Sequence, residues 1–291
     1  MNENVYKIRV TSDLVQIPVT VVDQHGKFIP GLEGGHFKVF EDNKEQAITH
    51  FAMDDAPVTV GFVFDTSASM VGKVRKSHEA VATFLKTANR DDEFFLVQFN
   101  SRVHLILSMT QRTDELQRSL MATRPRGATS LLDAVYFSIG EMKNAHNARK
   151  ALIIVSDGGD NTSYHTLNEL MYAIRETDIQ VYAIGIFEPS NVRSRSVEEA
   201  GGPSLLKQIT EETAGQFFEV DDLKKLTQIA SKISLGLRKQ YVLGYMPWEP
   251  KHDGEYHRLQ VMLQLPKSFP TLQVSWRQGY YAPNDLPGKQ Q

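Results

Sequence analysis

Apolar and polar residues alternate early in the chain, with Val15, Ile17, Val19 and Val21 on one face, which predicts a β-strand with one side buried. The turn Asp23-Gln24-His25-Gly26 follows, and Lys27, Phe28 and Ile29 make a short return before Pro30-Gly31, so residues 15–29 read as a β-hairpin. The segments 36–41 (HFKVFE) and 47–51 read as further strands around the polar turn Asp42-Asn43-Lys44. The first 55 residues are therefore all-β, and too few to bury a good core by themselves.

The pattern changes at residue 58. Residues 58–64 (VTVGFVF) form a nearly continuous apolar run, the mark of a strand buried on both faces. Helical spacing follows over 71–88, where Val74, Ala80, Val81, Phe84 and Leu85 share a face. The alternation then repeats. Strands are expected at 93–99, 103–109, 151–155, 180–186 and 216–220, and helices at 114–122, 130–144, 166–177, 203–214 and 223–237. Strand–helix alternation of this kind builds a doubly wound, mostly parallel sheet with helices on both sides.

Beyond residue 240 the β character returns, at 241–245, 257–265, 271–276 and 279–281. Neither β-rich end can hold a core alone. The economical arrangement pairs them into one β-sandwich into which the α/β block is inserted. The expected division is 1–55 and 240–284 for the two parts of the sandwich, 56–239 for the α/β domain, and 285–291 for a tail.

Composition narrows the functional classes. A formal net charge of −3 gives no global field toward nucleic acid or anionic lipid. The chain has no cysteine, which removes disulfides, thiolate metal sites and cysteine nucleophiles. No apolar run reaches the roughly 20 residues of a membrane span. The opening MNENVYKIRV lacks the apolar core of a signal peptide. Two locations stay open: an exported protein whose targeting segment lies outside this chain, or a cytoplasmic one.

Three loops carry the chemistry. Asp65-Thr66-Ser67-Ala68-Ser69 follows the first buried strand, and Asp157, in VSDG, ends another. Thr129, in RGATS, opens a helix from a third loop. All three lie at the carboxyl edge of the expected sheet, where sites in such folds form. Hard divalent cations prefer carboxylate and hydroxyl oxygens, and the absence of nearby Cys or His argues against zinc. Asp and Ser are also preferred helix caps, so the first loop alone would say little. The convergence of three separate loops carries the expectation that Asp65, Ser67, Ser69, Thr129 and Asp157 bind a metal.

The segments VGFVFDTSASM, GATSLLD and IIVSDG resemble the three segments of a von Willebrand factor A domain, over residues 57–239. That resemblance implies a Rossmann-like fold and a metal-ion-dependent adhesion site. Mg²⁺ is the implied cofactor, with Mn²⁺ or Ca²⁺ as alternatives. Ser67 and Ser69 would ligate directly, Asp65 and Asp157 mostly through water, and Thr129 directly or through water. An open position would take the carboxylate of an Asp or Glu from a protein partner. The flanks DLVQIPVTVV, FKVFED, QYVLGY and RQGYYAP are similar to bacterial von Willebrand A-related proteins common in acidobacteria. The resemblance also implies that the last helix of the domain, 223–237, can shift and so relay the state of the site to the sandwich.

Other residues read more plainly. Asp160 fits a turn in a Gly-rich loop better than a place on the site's rim. Arg124 and Arg126 flank the threonine loop, either as steering charges or as solvated ones. The polar stretch 188–202 (EPSNVRSRSVEEAGG) reads as an insert that covers the site or is inert. No phosphate-binding Gly loop and no G-x-S-x-G elbow is present, and the nine histidines are scattered. An adhesive binding module, not an enzyme, is the leading expectation. A scaffold with a structural or vestigial metal site, and a metal-dependent phosphohydrolase, are the alternatives. Partner identity and oligomeric state are not written in these residues.

Overall fold

The computed structural model of the chain describes residues 14–24, 27–54, 56–122, 124–187, 197–249, 252–266 and 269–283. The leading segment holds β1 (Val15–Val22), β2 (Phe37–Glu41), β3 (Lys44–Gln46) and β4 (Ile48–Asp54). The central block runs β5 (Val58–Asp65), α1 (Val74–Leu85), β6 (Glu93–Phe99), β7 (Val103–Thr110), α2 (Thr113–Met121) and α3 (Leu131–Glu141). It continues with β8 (Arg149–Ser156), α4 (Leu167–Arg175), β9 (Ile179–Ile186), α5 (Val197–Glu211), β10 (Phe217–Val220) and α6 (Leu226–Arg238). The trailing segment holds β11 (Gln240–Tyr245), β12 (Tyr256–Leu263), β13 (Gln273–Ser275) and β14 (Gly279–Tyr281).

The central sheet has the order β10-β9-β8-β5-β6-β7 and is parallel except for β7, which runs antiparallel to β6. Every residue of β5 and of β9 is buried, which is why both read as unbroken apolar runs. One face carries α1, α2 and α6 over Phe62, Phe64, Ile153 and Ile184. The other carries α3, α4 and α5 over Val63, Val97, Ile154 and Ala183. The chain leaves β5 toward β6 and later returns to β8 on the opposite side of β5. The crevice between the carboxyl ends of β5 and β8 is thus the switch point of the sheet.

The two ends of the chain build two four-stranded sheets together, in the orders β13-β1-β11-β4 and β14-β12-β2-β3. Each mixes strands from both segments, as the sandwich expectation required. Ile17, Val19, Val39, Tyr241, Leu243 and Val261 fill the core between them. Tyr241 sits at its centre against the rings of Phe28, Phe37 and Phe51. Its hydroxyl donates to the Ile29 carbonyl at 2.7 Å and accepts from the Leu32 N–H at 3.1 Å. A trailing-segment residue therefore organises the loop after β1.

The sandwich meets the amino ends of the central strands. Asp92 accepts from the Val58 N–H at 2.9 Å and pairs with Arg238 at 2.6 Å, both side chains buried, so it clamps the start of β5 to the end of α6. Gln240 donates to Gln180 at 2.8 Å across the same junction. A cavity of about 260 Å³ remains there, lined in part by Gln16, His50, Arg149, Arg175, Gln240 and Arg277. Only Lys239 separates α6 from β11. The carboxyl edge of the sheet lies on the far side from these contacts.

The short hairpin return after β1 is present: Val22 bridges Phe28, and the Ile29 N–H donates to the Val21 carbonyl and the Asp23 N–H to the Lys27 carbonyl, each at 2.9 Å; His25 and Gly26 of its turn lie outside the described residues. One expectation changes. Helix α5 starts at Val197 rather than at Pro203, and carries that proline inside it. Proline favours a first helical turn, but here Gly202 packs onto the loop after β8, which holds the preceding turn in place. Residues 188–196 of the polar insert, and the tail, lie outside the described residues.

Removing the Tyr241 hydroxyl leaves the Leu32 N–H unsatisfied. Tyr241→Phe is expected to lower unfolding free energy by about 1–3 kcal/mol in chemical denaturation, with the fold retained.

Candidate functional site

The first loop grows out of the end of β5. The N–H and hydroxyl of Thr66 both donate to the Phe99 carbonyl, at 2.7 and 2.9 Å, which ties the loop to the end of β6. Asp65 is fully buried: one carboxylate oxygen accepts from the Ser67 N–H at 2.8 Å and the other from the Ser156 hydroxyl at 2.6 Å. The hydroxyls of Ser67 and Ser69 lie 3.0 Å apart, so both aim at one place.

The second loop is held against the first by two backbone bonds, Arg126 N–H to the Thr66 carbonyl at 2.7 Å and Ala68 N–H to the Gly127 carbonyl at 3.0 Å. Thr129 is buried there. Its N–H donates to the Asn161 side chain at 2.9 Å, and its carbonyl accepts from the N–H groups of Asn161 and Thr162. Those bonds bring in the third loop. On it, buried Asp157 points one oxygen at the Lys73 ammonium, 3.1 Å away. Its other oxygen, Oδ1, is buried with no hydrogen-bond partner among the described residues.

The three loops thus meet at the switch point. Asp65, Ser67, Thr129 and Asp157 are buried, and Ser69 is half-buried. Burial, followed by the negative charge of Asp157, raises Asp65 to about 7, against the lowering effect of the Ser156 and Ser67 hydrogen bonds. The Lys73 ammonium offsets part of the charge of these two carboxylates, and the orphaned Asp157 oxygen is an acceptor position that a metal could use. Among the described residues no group of three or more His, Cys, Asp or Glu could hold a metal. A metal here would depend on hydroxyls as much as on carboxylates, and the five residues fit a hard divalent ion in donor type.

Asp160 behaves as a turn residue: its Oδ1 accepts from the Leu132 N–H at 3.2 Å, at the start of α3, and from the Ser163 hydroxyl at 2.6 Å. Arg124 and Arg126 are exposed on the second loop, and Arg102 is exposed on the neighbouring β6–β7 turn, whose Ser101 hydroxyl accepts from the Ala128 N–H at 2.9 Å.

Sequence reasoning missed Lys73, Ser156, Asn161 and Gly202. Each acts through a partner distant in the chain, so no local pattern announces it. Gly202, on α5, lies so near the third loop that an added Cβ would stand 2.4 Å from the Asp157 carbonyl oxygen and 3.0 Å from Gly158. Gly158 itself has φ of +78°, a conformation that side chains rarely adopt. The VSDG turn is therefore shaped by a glycine-to-glycine contact that no side chain would fit.

The family model of the von Willebrand factor type A domain matches residues 59–232, and the chain belongs to that family. Among curated proteins it is similar to the inter-alpha-trypsin inhibitor heavy chain H2 of Mus musculus, 25% identical over 170 residues, covering 53% of this chain and 18% of that protein. A heavy chain 4 from the same species is 29% identical over 130 residues, covering 40% of this chain and 14% of the other. The chain thus spans less than a fifth of the length of these relatives. Among solved structures, a von Willebrand factor type A protein from Catenulispora acidiphila aligns with a TM-score of 0.54 at 13% identity, covering 85% of this chain and 76% of that one. Proximal thread matrix protein 1 from the mussel byssus aligns with a TM-score of 0.51 at 18% identity, covering 66% and 49%. The von Willebrand domain of a type V pili tip protein from Porphyromonas gingivalis aligns at 0.50 with 14% identity, covering 65% and 98%. These structural likenesses are of fold. Domains of this family are commonly protein-interaction modules, and none of these relatives is named as an enzyme. Among the described residues no helix is long and apolar enough to cross a membrane.

Because Asp65 is raised in the folded state, folding favours its protonated form. In the metal-free protein the stability it contributes is full below about pH 4 and is lost as pH rises through about 7. Denaturation in chelator should therefore show stability falling over that window, and Asp65→Asn should flatten the fall. Gly202→Ala is expected to push the third loop outward and cost about 1–3 kcal/mol in unfolding free energy.

Proposed function

We propose that the protein is a metal-dependent adhesive module that captures an acidic side chain of a protein partner. Asp65, Ser67, Ser69, Thr129 and Asp157 would hold a divalent cation, Mg²⁺ first, with Mn²⁺ or Ca²⁺ as alternatives. The cation would supply Lewis acidity toward a carboxylate. The observation that carries this reading is the unpartnered, buried Oδ1 of Asp157 beside the raised, buried Asp65 and the paired serine hydroxyls.

Support comes from the rim. Arg102, Arg124 and Arg126 are exposed around the threonine loop, a positive border suited to an acidic partner. Tyr164 is 95% exposed and Val71 67%, on the third and first loops, and offer apolar contact beside the charge. The pilus-tip and byssal-thread neighbours are surface or extracellular proteins, which supports an exported location.

One observation favours a second reading. Lys73 already offsets part of the charge of Asp157, as it would in a scaffold whose metal site is vestigial. Calorimetry separates the two. The adhesive module binds Mg²⁺ or Mn²⁺ in the wild type and loses at least about ten-fold in affinity in Asp65→Asn. Equal affinity in both proteins sinks the metal site, and partner capture that persists in chelator favours the scaffold. Metal affinity is also expected to rise with pH up to about 7, as Asp65 gives up its proton.

A further inference from the structure

Lys73 stands just before the first residue of α1, and its backbone is fixed on both sides. Its N–H donates to the Met70 carbonyl at 3.0 Å, and its carbonyl accepts from the N–H and the hydroxyl of Ser77, each at 3.1 Å. From there the side chain, only 9% exposed, reaches the third loop and places its ammonium on Asp157 Oδ2. A buried lysine so close to a set of cation-binding oxygens is a poor choice for tight metal binding alone. Like charges repel strongly where water is excluded.

Its benefit lies in the charge of the loaded site. Asp65 and Asp157 as carboxylates, with the Lys73 ammonium, leave one net negative charge. A divalent cation converts this to one net positive charge. Without the lysine the same cation would bring the site only to neutrality, and an incoming carboxylate would gain less. The contact to Oδ2 leaves Oδ1 of Asp157, the oxygen with no partner among the described residues, to face the metal or its water.

We propose that Lys73 is a built-in counter-cation of this site: it weakens metal binding and keeps the loaded site positive enough to hold a partner's carboxylate. This rests on the adhesive reading above and assigns a positioning and charge-setting residue to it. Replacing the lysine should then move two affinities in opposite directions, which loss of structure would not do.

The test titrates Mn²⁺ into the whole chain, with free Mn²⁺ read by electron paramagnetic resonance, with and without acetate as the carboxylate probe. Lys73→Met should bind Mn²⁺ at least about ten-fold more tightly than wild type, by removal of a buried like charge. Acetate should strengthen Mn²⁺ binding in the wild type and in Lys73→Arg, and lose that effect in Lys73→Met. Lys73→Gln, uncharged and polar, serves as the second variant if Lys73→Met does not fold. Unchanged or weaker Mn²⁺ binding in the uncharged variant, or an undiminished acetate effect, overturns the role of Lys73 alone. Equal Mn²⁺ binding by wild type and Asp65→Asn overturns the metal site and this proposal with it. A wild type that binds no Mn²⁺ while Lys73→Met does would keep the lysine's charge role and overturn the adhesive reading.

Discussion

Two carboxylates, Asp65 and Asp157, are buried side by side at the carboxyl ends of neighbouring parallel strands, and much of the surrounding structure answers that constraint. An uncompensated charge in such a place is costly. Ser67 and Ser156 supply hydrogen bonds to Asp65, and Lys73 supplies charge to Asp157. The loops are then locked to one another by backbone bonds, through Thr66 to Phe99, Arg126 to Thr66, Ala68 to Gly127 and Ser130 to Asn100. The result is a set of oxygens from three loops gathered at one edge of the sheet.

The sandwich contacts lie at the opposite end of the strands from this edge. The sandwich is assembled from both ends of the chain and docks at the amino ends of the strands, through Asp92, Arg238, Gln180 and Gln240. It therefore anchors the α/β block from the end opposite the three loops. Helix α6 passes directly from the block into β11, so any shift of that helix would be felt at the buried Arg238–Asp92 pair.

Much of the architecture was legible because it depends on periodicity. The apolar run of β5 reads as a strand buried on both faces, and the helical spacing of Val74, Ala80, Val81, Phe84 and Leu85 places α1 within a few residues. The alternation of β1 says that one face is buried, not that β11 and β13 lie alongside it. The start of α5 was misjudged because the local preference of Pro203 was overridden by the Gly202 contact. The five candidate ligand residues were legible as types at strand ends, since a doubly wound sheet brings its carboxyl-end loops to one edge.

By itself, then, the sequence determined the class of fold, the placing of an α/β block between two β-rich ends, and which oxygen-bearing residues stand at the carboxyl edge as candidates. It could do so because those features follow from hydrophobic period, chain order and the chemistry of oxygen donors. Only the tertiary structure decided which groups support those residues. The Lys73–Asp157 pair spans 84 positions, the Ser156–Asp65 bond 91, and the Gly158–Gly202 contact joins a strand end to a helix. Such pairings depend on how loops from separate strands pack at close range, and no local pattern encodes that distance. The charge balance between Lys73 and Asp157, and the acceptor atom Oδ1 that it leaves without a partner among the described residues, are set there.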